Sequence, residues 1–126
     1  MVAPNKYTLV PSPVGPFAHI DLVARVVFGL IWDRYRLSVH SHLRGDQRWL
    51  DEDSRVYCVY AQDELARHAG ISDRTVRRCL DDLRRAGLLS YSKAGLRGVN
   101  RYYVELAAKD YLGAQRPGCQ QSGKDC

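Results

Sequence analysis

Nearly every position from Ile20 to Trp32 is apolar: in the run IDLVARVVFGLIW, Asp21 and Arg25 are the main polar exceptions. A helix that is apolar almost all round buries most of its surface, so this segment predicts a central core helix, or one that shares its second face with a partner subunit. It is too short and too charged to cross a bilayer. Upstream, four of the five prolines stand at positions 4, 11, 13 and 16. They exclude a helix over residues 1 to 17 and predict an extended arm. Downstream, SVHSHLRGDQR (38–48) reads as an irregular connection. WLDEDSRVYCVY then reads as a short strand, an acidic turn and a strand of β-branched and aromatic residues.

Helical periodicity returns at Gln62. Gly70 closes the first helix, Ser72 caps the next, and Gly87 closes that one. Two helices packed across a tight turn need inward apolar residues, small residues where they touch, and a glycine in the turn. Leu65, Ala66, Ala69, Gly70 and Ile71 meet those needs, and Val76, Cys79 and Leu80 supply the inner face of the second helix. At 100° per residue, Val76, Cys79, Leu80 and Leu83 share one stripe, while Arg74, Arg78 and Arg85 lie opposite and Arg77 on the flank. Ser72, Asp73, Arg74, Thr75, Arg77 and Arg78 occupy the first two turns, the part of a recognition helix that reaches base edges. The plainer alternative is a solvated face, with Arg77–Asp81 and Arg78–Asp82 as ion pairs worth a few tenths of a kcal/mol.

After Gly87 come two strand-like runs, LLSYSK and RYYVEL, joined by AGLRGVN. A hairpin at this place is the wing of a winged helix-turn-helix. Lys93, Arg97 and Arg101 would flank the DNA backbone or enter the minor groove, and Asn100 would bond a phosphate or base edge. Charge supports this reading. The chain carries +5 overall, and residues 61 to 104 hold nine basic and five acidic residues, a surplus of +4. Arginine dominates, and its planar fork suits phosphates and guanine edges. The fold class expected is α+β, a winged helix-turn-helix over residues 18–106. It is preceded by the arm (1–17) and followed by a helical stub and a disordered tail (107–126). Length alone allows about one domain.

These residues in this order, LVARVVFGLIWDRYRLS, WLDEDSRVYCVY, DELARHAGISDRTVRRCLDDLRRAGLL and GLRGVNRYYV, resemble the N-terminal domain of the RepA_N plasmid replication initiators. The resemblance covers about residues 20 to 104. It is carried best by the helix-strand opening and by the Asn-Arg-Tyr-Tyr that ends the wing. It implies a winged-helix domain that binds repeated origin sites on double-stranded DNA, typically as a homodimer, and helps to recruit host replication proteins. Such initiators commonly carry a further C-terminal domain, so the 126 residues are expected to be an N-terminal portion or a short variant, with recruitment falling to a region outside it. Two departures stand out: Ala61 occupies a capping place where the family usually has Ser or Thr, and the 38–48 connection is longer than usual.

Other functions leave weaker traces. A transcriptional regulator binding an operator needs the same helix and wing, and sequence does not separate it from an initiator. A metal-dependent strand-nicking nuclease would use His40-Ser41-His42 with Tyr102 or Tyr103 as nucleophile. Here the residue between the histidines is small and polar, the segment reads as a loop, and no carboxylate cluster supports it. No enzymatic activity, metal or cofactor is therefore expected, and no phosphate-binding glycine loop is present. Cys58, Cys79, Cys119 and Cys126 lack C-x-x-C spacing, and MVAPNKYTLV is no signal peptide, so reduced thiols and a cytoplasmic protein are expected.

Overall fold

The computed structural model describes residues 7–93 and 99–114. Four α-helices and a three-stranded antiparallel sheet follow the order α1 (Leu22–Leu43), β1 (Cys58–Ala61), α2 (Gln62–Ala69), α3 (Asp73–Arg85), β2 (Leu89–Lys93), β3 (Val99–Val104) and α4 (Leu106–Ala114). The strands lie in the order β1-β3-β2. Cys58 pairs with Tyr102 on one side of β3, and Tyr91 pairs with the same Tyr102 on the other. The inward face of β3 carries Asn100, Tyr102 and Val104, packed toward the helices. This is an α+β winged helix-turn-helix, as the pattern predicts.

α1 is the centre of the core. Asp21 caps it by accepting from the backbone N–H of Ala24 at 2.9 Å. Ala24, Val27, Phe28, Leu30, Ile31 and Tyr35 are buried along it. The helix does not stop near Trp32. It continues to Leu43, so residues 38–43 of the expected irregular connection are helical. That stretch contains neither glycine nor proline, and Ser38, one turn after the buried Tyr35, is itself buried. Its polar composition records a partly exposed last turn and not a break.

The second apolar face of α1 is covered from within the chain. The arm passes so close at Gly29 that a Cβ there would lie 2.5 Å from the carbonyl oxygen of Leu9. Only glycine permits that approach. Arg25 reinforces it by donating from Nη1 to the carbonyl of Pro11 at 3.0 Å. The arm ends in a single 3₁₀ turn, Gly15–Phe17, begun by Pro16, and Phe17 is fully buried against Phe28, with ring centroids 5.0 Å apart. At the other end of the domain, α4 buries Ala108 and sets Tyr111 against Phe17 at 6.2 Å. Core packing thus extends beyond 18–106 on both sides.

The strand expected at WLDEDSRVYCVY shrinks to one bridge, Leu50–Val56, before β1. The Asp51 carboxylate accepts from the backbone N–H groups of Asp53 and Arg55, folding the acidic segment into a side-chain-nucleated turn. These bonds and the hydroxyl of Tyr103 stabilise the charged carboxylate, whose pKa falls below its ordinary value, the Arg55 N–H contributing most.

Replacing Phe17 by Ala removes a fully buried ring and is expected to cost about 3–5 kcal/mol in urea denaturation. A loss below about 1 kcal/mol would place residues 13–17 outside the cooperative core.

Candidate nucleic-acid interface

The helix-turn-helix is built as its residue types require. β1 runs into α2 without a loop, so the capping position falls on Ala61, a strand residue paired with Val99, and no side chain caps the helix. Gly70 then takes the left-handed conformation at φ 72°, and Ile71 N–H returns to the Ala66 carbonyl at 3.0 Å. That bond satisfies the helix end and turns the chain toward α3. Ser72 caps α3 by accepting from Thr75 N–H at 3.2 Å. Val76, Cys79, Leu80 and Leu83 are buried beneath it, so its orientation is fixed by core packing.

Two further contacts hold α2. Arg34 on α1 is buried, donates to the Val59 carbonyl at 3.1 Å, and reaches the Glu64 carboxylate at 3.3 Å. Its guanidinium lies 3.7 Å from the centre of the Tyr60 ring. Burial pushes the Tyr60 hydroxyl up to about 12, so it keeps its proton and bonds His68 Nδ1 at 2.6 Å near the far end of α2. Tyr60 reads in the sequence only as a strand aromatic of the core or rim, and Arg34 carries no signal of its own. An arginine at the edge of an apolar helix, with tyrosine and glutamate in the next elements, is the only trace it leaves there.

The outward arginines of α3 divide into two groups. Asp81 is engaged by Arg84 at 2.8 Å and Arg85 at 2.6 Å, so the expected Arg77–Asp81 pair does not form. Arg74 and Arg77 are exposed and make no ion pair among the described residues. Arg78 differs: its Nη1 meets Asp82 at 2.7 Å and Asp21 at 3.0 Å. Ser72 and Asp73 are exposed at the start of the helix, and Thr75 is half-buried with its hydroxyl 3.0 Å from that of Ser72.

An open groove of about 670 Å³ separates α3 from the hairpin. Arg74, Arg77 and Arg78 line its helical side, Tyr91, Ser92 and Asn100 its sheet side, and Gln62 one end. Of the hairpin residues expected to touch DNA, Asn100 and Arg101 face opposite sides of the sheet. Asn100 does not project from the wing: it is buried, and its Nδ2 donates to the Tyr102 hydroxyl at 2.9 Å. The strand register places it inward opposite Tyr60, so it forms part of the groove floor. Arg101 faces the other side of the sheet, 4.5 Å from the Tyr57 ring centre and 3.5 Å from Glu52. Lys93 ends β2, and Arg97 lies outside the described residues.

The nicking constellation is not assembled either. His40 and His42 sit two positions apart on α1, about 200° around the helix, and so project to different sides. Tyr102 is buried, and Tyr103 donates its hydroxyl to Asp51 at 2.9 Å. Among the described residues no group of three or more His, Cys, Asp or Glu is placed to hold a metal. None of the described helices is long and apolar enough to cross a membrane.

Residues 13–112 match the family described as the N-terminus of replication initiator protein A (RepA). The chain belongs to the RepA N-terminal family. The match begins in the arm before Phe17 and ends within α4, and so includes both segments that complete the core beyond 18–106. Solved structures share the RepA N-terminal fold. One is the N-terminal domain of a DNA binding protein, at TM-score 0.56 and 18% identity over 88% of this chain and 86% of that one. Another is a Rep-DNA complex, at TM-score 0.57 and 18% identity over 88% and 87%. A third is an MDR initiator, at TM-score 0.56 and 15% identity over 89% and 91%. No curated protein sequence matches.

Asn100→Ala leaves the Tyr102 hydroxyl without its buried partner, and is expected to lower stability by about 1–3 kcal/mol in thermal or urea unfolding. An unchanged stability would mean that water replaces the amide and that the groove floor is wet.

Proposed function

We propose that this chain is the DNA-binding domain of a plasmid replication initiator and recognises repeated sites on double-stranded origin DNA through α3. The observation that carries the reading is the pair Arg74 and Arg77. Both are exposed, without an ion pair among the described residues, and set on the groove between the recognition helix and the hairpin of a RepA N-terminal fold. A guanidinium with no internal partner keeps its donors for guanine O6 and N7 or for phosphate. Membership of the initiator family favours an origin over an operator as the target, and the role proposed is binding without catalysis, in the cytoplasm.

Dimerisation is part of the same proposal, and the arm is its better candidate. The arm covers α1 around Gly29 and Arg25, while the arm's own apolar side chains point away: Tyr7 is 81% exposed, Leu9 72% and Val14 51%. A second copy would bury them. Recruitment of host replication proteins is assigned to regions outside this domain.

The test is fluorescence anisotropy with duplexes tiled across the gene and its upstream DNA, at two salt concentrations. Selective binding to a repeated segment that survives the higher salt is expected. On that segment Arg74→Ala and Arg77→Ala should each cost about 1–3 kcal/mol, with discrimination against changed bases reduced. Uniform binding that disappears with salt would reduce the domain to a basic surface. A short palindrome upstream of an operon as the sole tight site would favour the regulator. Sedimentation on the bound segment should give two chains per site, and one chain per site would remove the dimer.

A further inference from the structure

The outward arginines of α3 differ in their partners. Arg74, Arg77 and Arg78 all line the groove toward the hairpin, and among the described residues no carboxylate is bound to Arg74 or Arg77. Arg78 alone of the three is also drawn toward α1: its Nη1 lies between the carboxylates of Asp82 at 2.7 Å and Asp21 at 3.0 Å. The three charges sum to −1. Asp21 is not a loosely hung partner: its Oδ1 caps α1 through Ala24 N–H, which fixes the carboxylate and presents Oδ2 to Arg78. Among the described residues this is the one ion pair that joins α3 to another element.

Stability does not account for it. The Arg78 and Asp21 side chains are 45% and 54% exposed, and pairs so open to water contribute little to folding. The consequence lies at the surface. Arg74 and Arg78 are one helical turn apart on the outward side, so a free Arg78 would offer a second cation beside the first to any passing phosphate. Specificity is a difference of affinities, and weakening the competing complexes raises it as surely as strengthening the right one.

Resting on the DNA-binding reading above, we propose that Asp21 and Asp82 are specificity-determining residues, which hold Arg78 toward α1 and keep its charge from the phosphates of arbitrary sequence. Arg78 is then a restrained cation and not a base-reading one. Asp21 serves twice, as the cap of α1 and as the restraint.

The test compares the wild-type chain with Asp21→Asn, Arg78→Gln and the double variant, on the best-bound tiled duplex and on a scrambled duplex of equal length. Asn caps a helix as well as Asp, so melting curves should nearly superimpose, and Arg78 loses its charged tie to α1 while Asp82 remains as its only carboxylate partner among the described residues. Asp21→Asn is expected to tighten binding to the scrambled duplex about three- to tenfold, with a salt dependence steeper by nearly one phosphate contact. The preferred duplex should gain less, so discrimination falls. The double variant should lose the gain, and Arg78→Gln alone should leave the ratio of the two affinities within about twofold.

Equal weakening on both duplexes by Asp21→Asn would make the pair merely structural and overturn the inference. A selective loss of about tenfold or more on the preferred duplex from Arg78→Gln would identify Arg78 as a base reader instead. If the wild type binds and Asp21→Asn changes nothing, this inference alone fails. If the wild type binds no duplex, the DNA-binding reading fails and takes this one with it.

Discussion

The guanidinium of Arg34 stands where α1, β1 and α2 meet, and the placement of the helix-turn-helix depends on that meeting. It is buried, with only 8% of its side chain exposed, and its charge is balanced by Glu64. The Val59 carbonyl and the Tyr60 ring also lie against it. A buried ion pair adds little net stability over apolar packing, yet breaking one partner is expensive because the other charge is stranded. What it supplies here is register. Since β1 passes into α2 without a loop, fixing Val59, Tyr60 and Glu64 against one side chain fixes the strand's end and the helix's first turn together. The Tyr60–His68 hydrogen bond then holds the other end of the same short helix.

Orientation of α3 follows from that frame and from the apolar seam under it, but the charge it displays follows from competition among its own residues. Arg77 and Asp81 have the spacing of a helical ion pair, as do Arg78 and Asp82 and also Arg85 and Asp81. Asp81 has two oxygens, and both are taken from the C-terminal side by Arg84 and Arg85. Among the described residues Arg77 makes no ion pair, and the carboxylate one turn away is drawn to the two arginines that end the helix. Sequence spacing alone ranks these pairs equally.

Much of the architecture was legible because its signals are local. Gly70, Ser72 and Gly87 are turn and cap residues whose roles follow from backbone conformation, and the stripe Val76, Cys79, Leu80, Leu83 is a period that needs no tertiary knowledge. What the sequence hid is non-local. Residues 38–43 look like loop because they are polar, and only the packing of α1 shows that they continue a helix. Phe17 follows four prolines that read as an arm, yet it is drawn into the core by Phe28 and Tyr111. Asn100 was placed on the wing from its position near the hairpin tip. Strand alternation pairs it inward against Tyr60, a parity that depends on register across β1 and β3 and not on any motif.

The all-round apolar character of α1 also has a cause that periodicity does not contain. It predicted either a central helix or one shared with a partner, and the arm is what occupies the second face: Leu9 lies against Gly29, Pro11 against Arg25, and Phe17 against Phe28. The apolar surface is thereby moved outward onto Tyr7, Leu9 and Val14. Besides its apolar packing on the reading unit, α1 is tied to it by side-chain polar contacts, through Arg34 to the start of α2 and through its cap Asp21 to the middle of α3. One helix thus both supports the recognition helix and sets the charge on its flank.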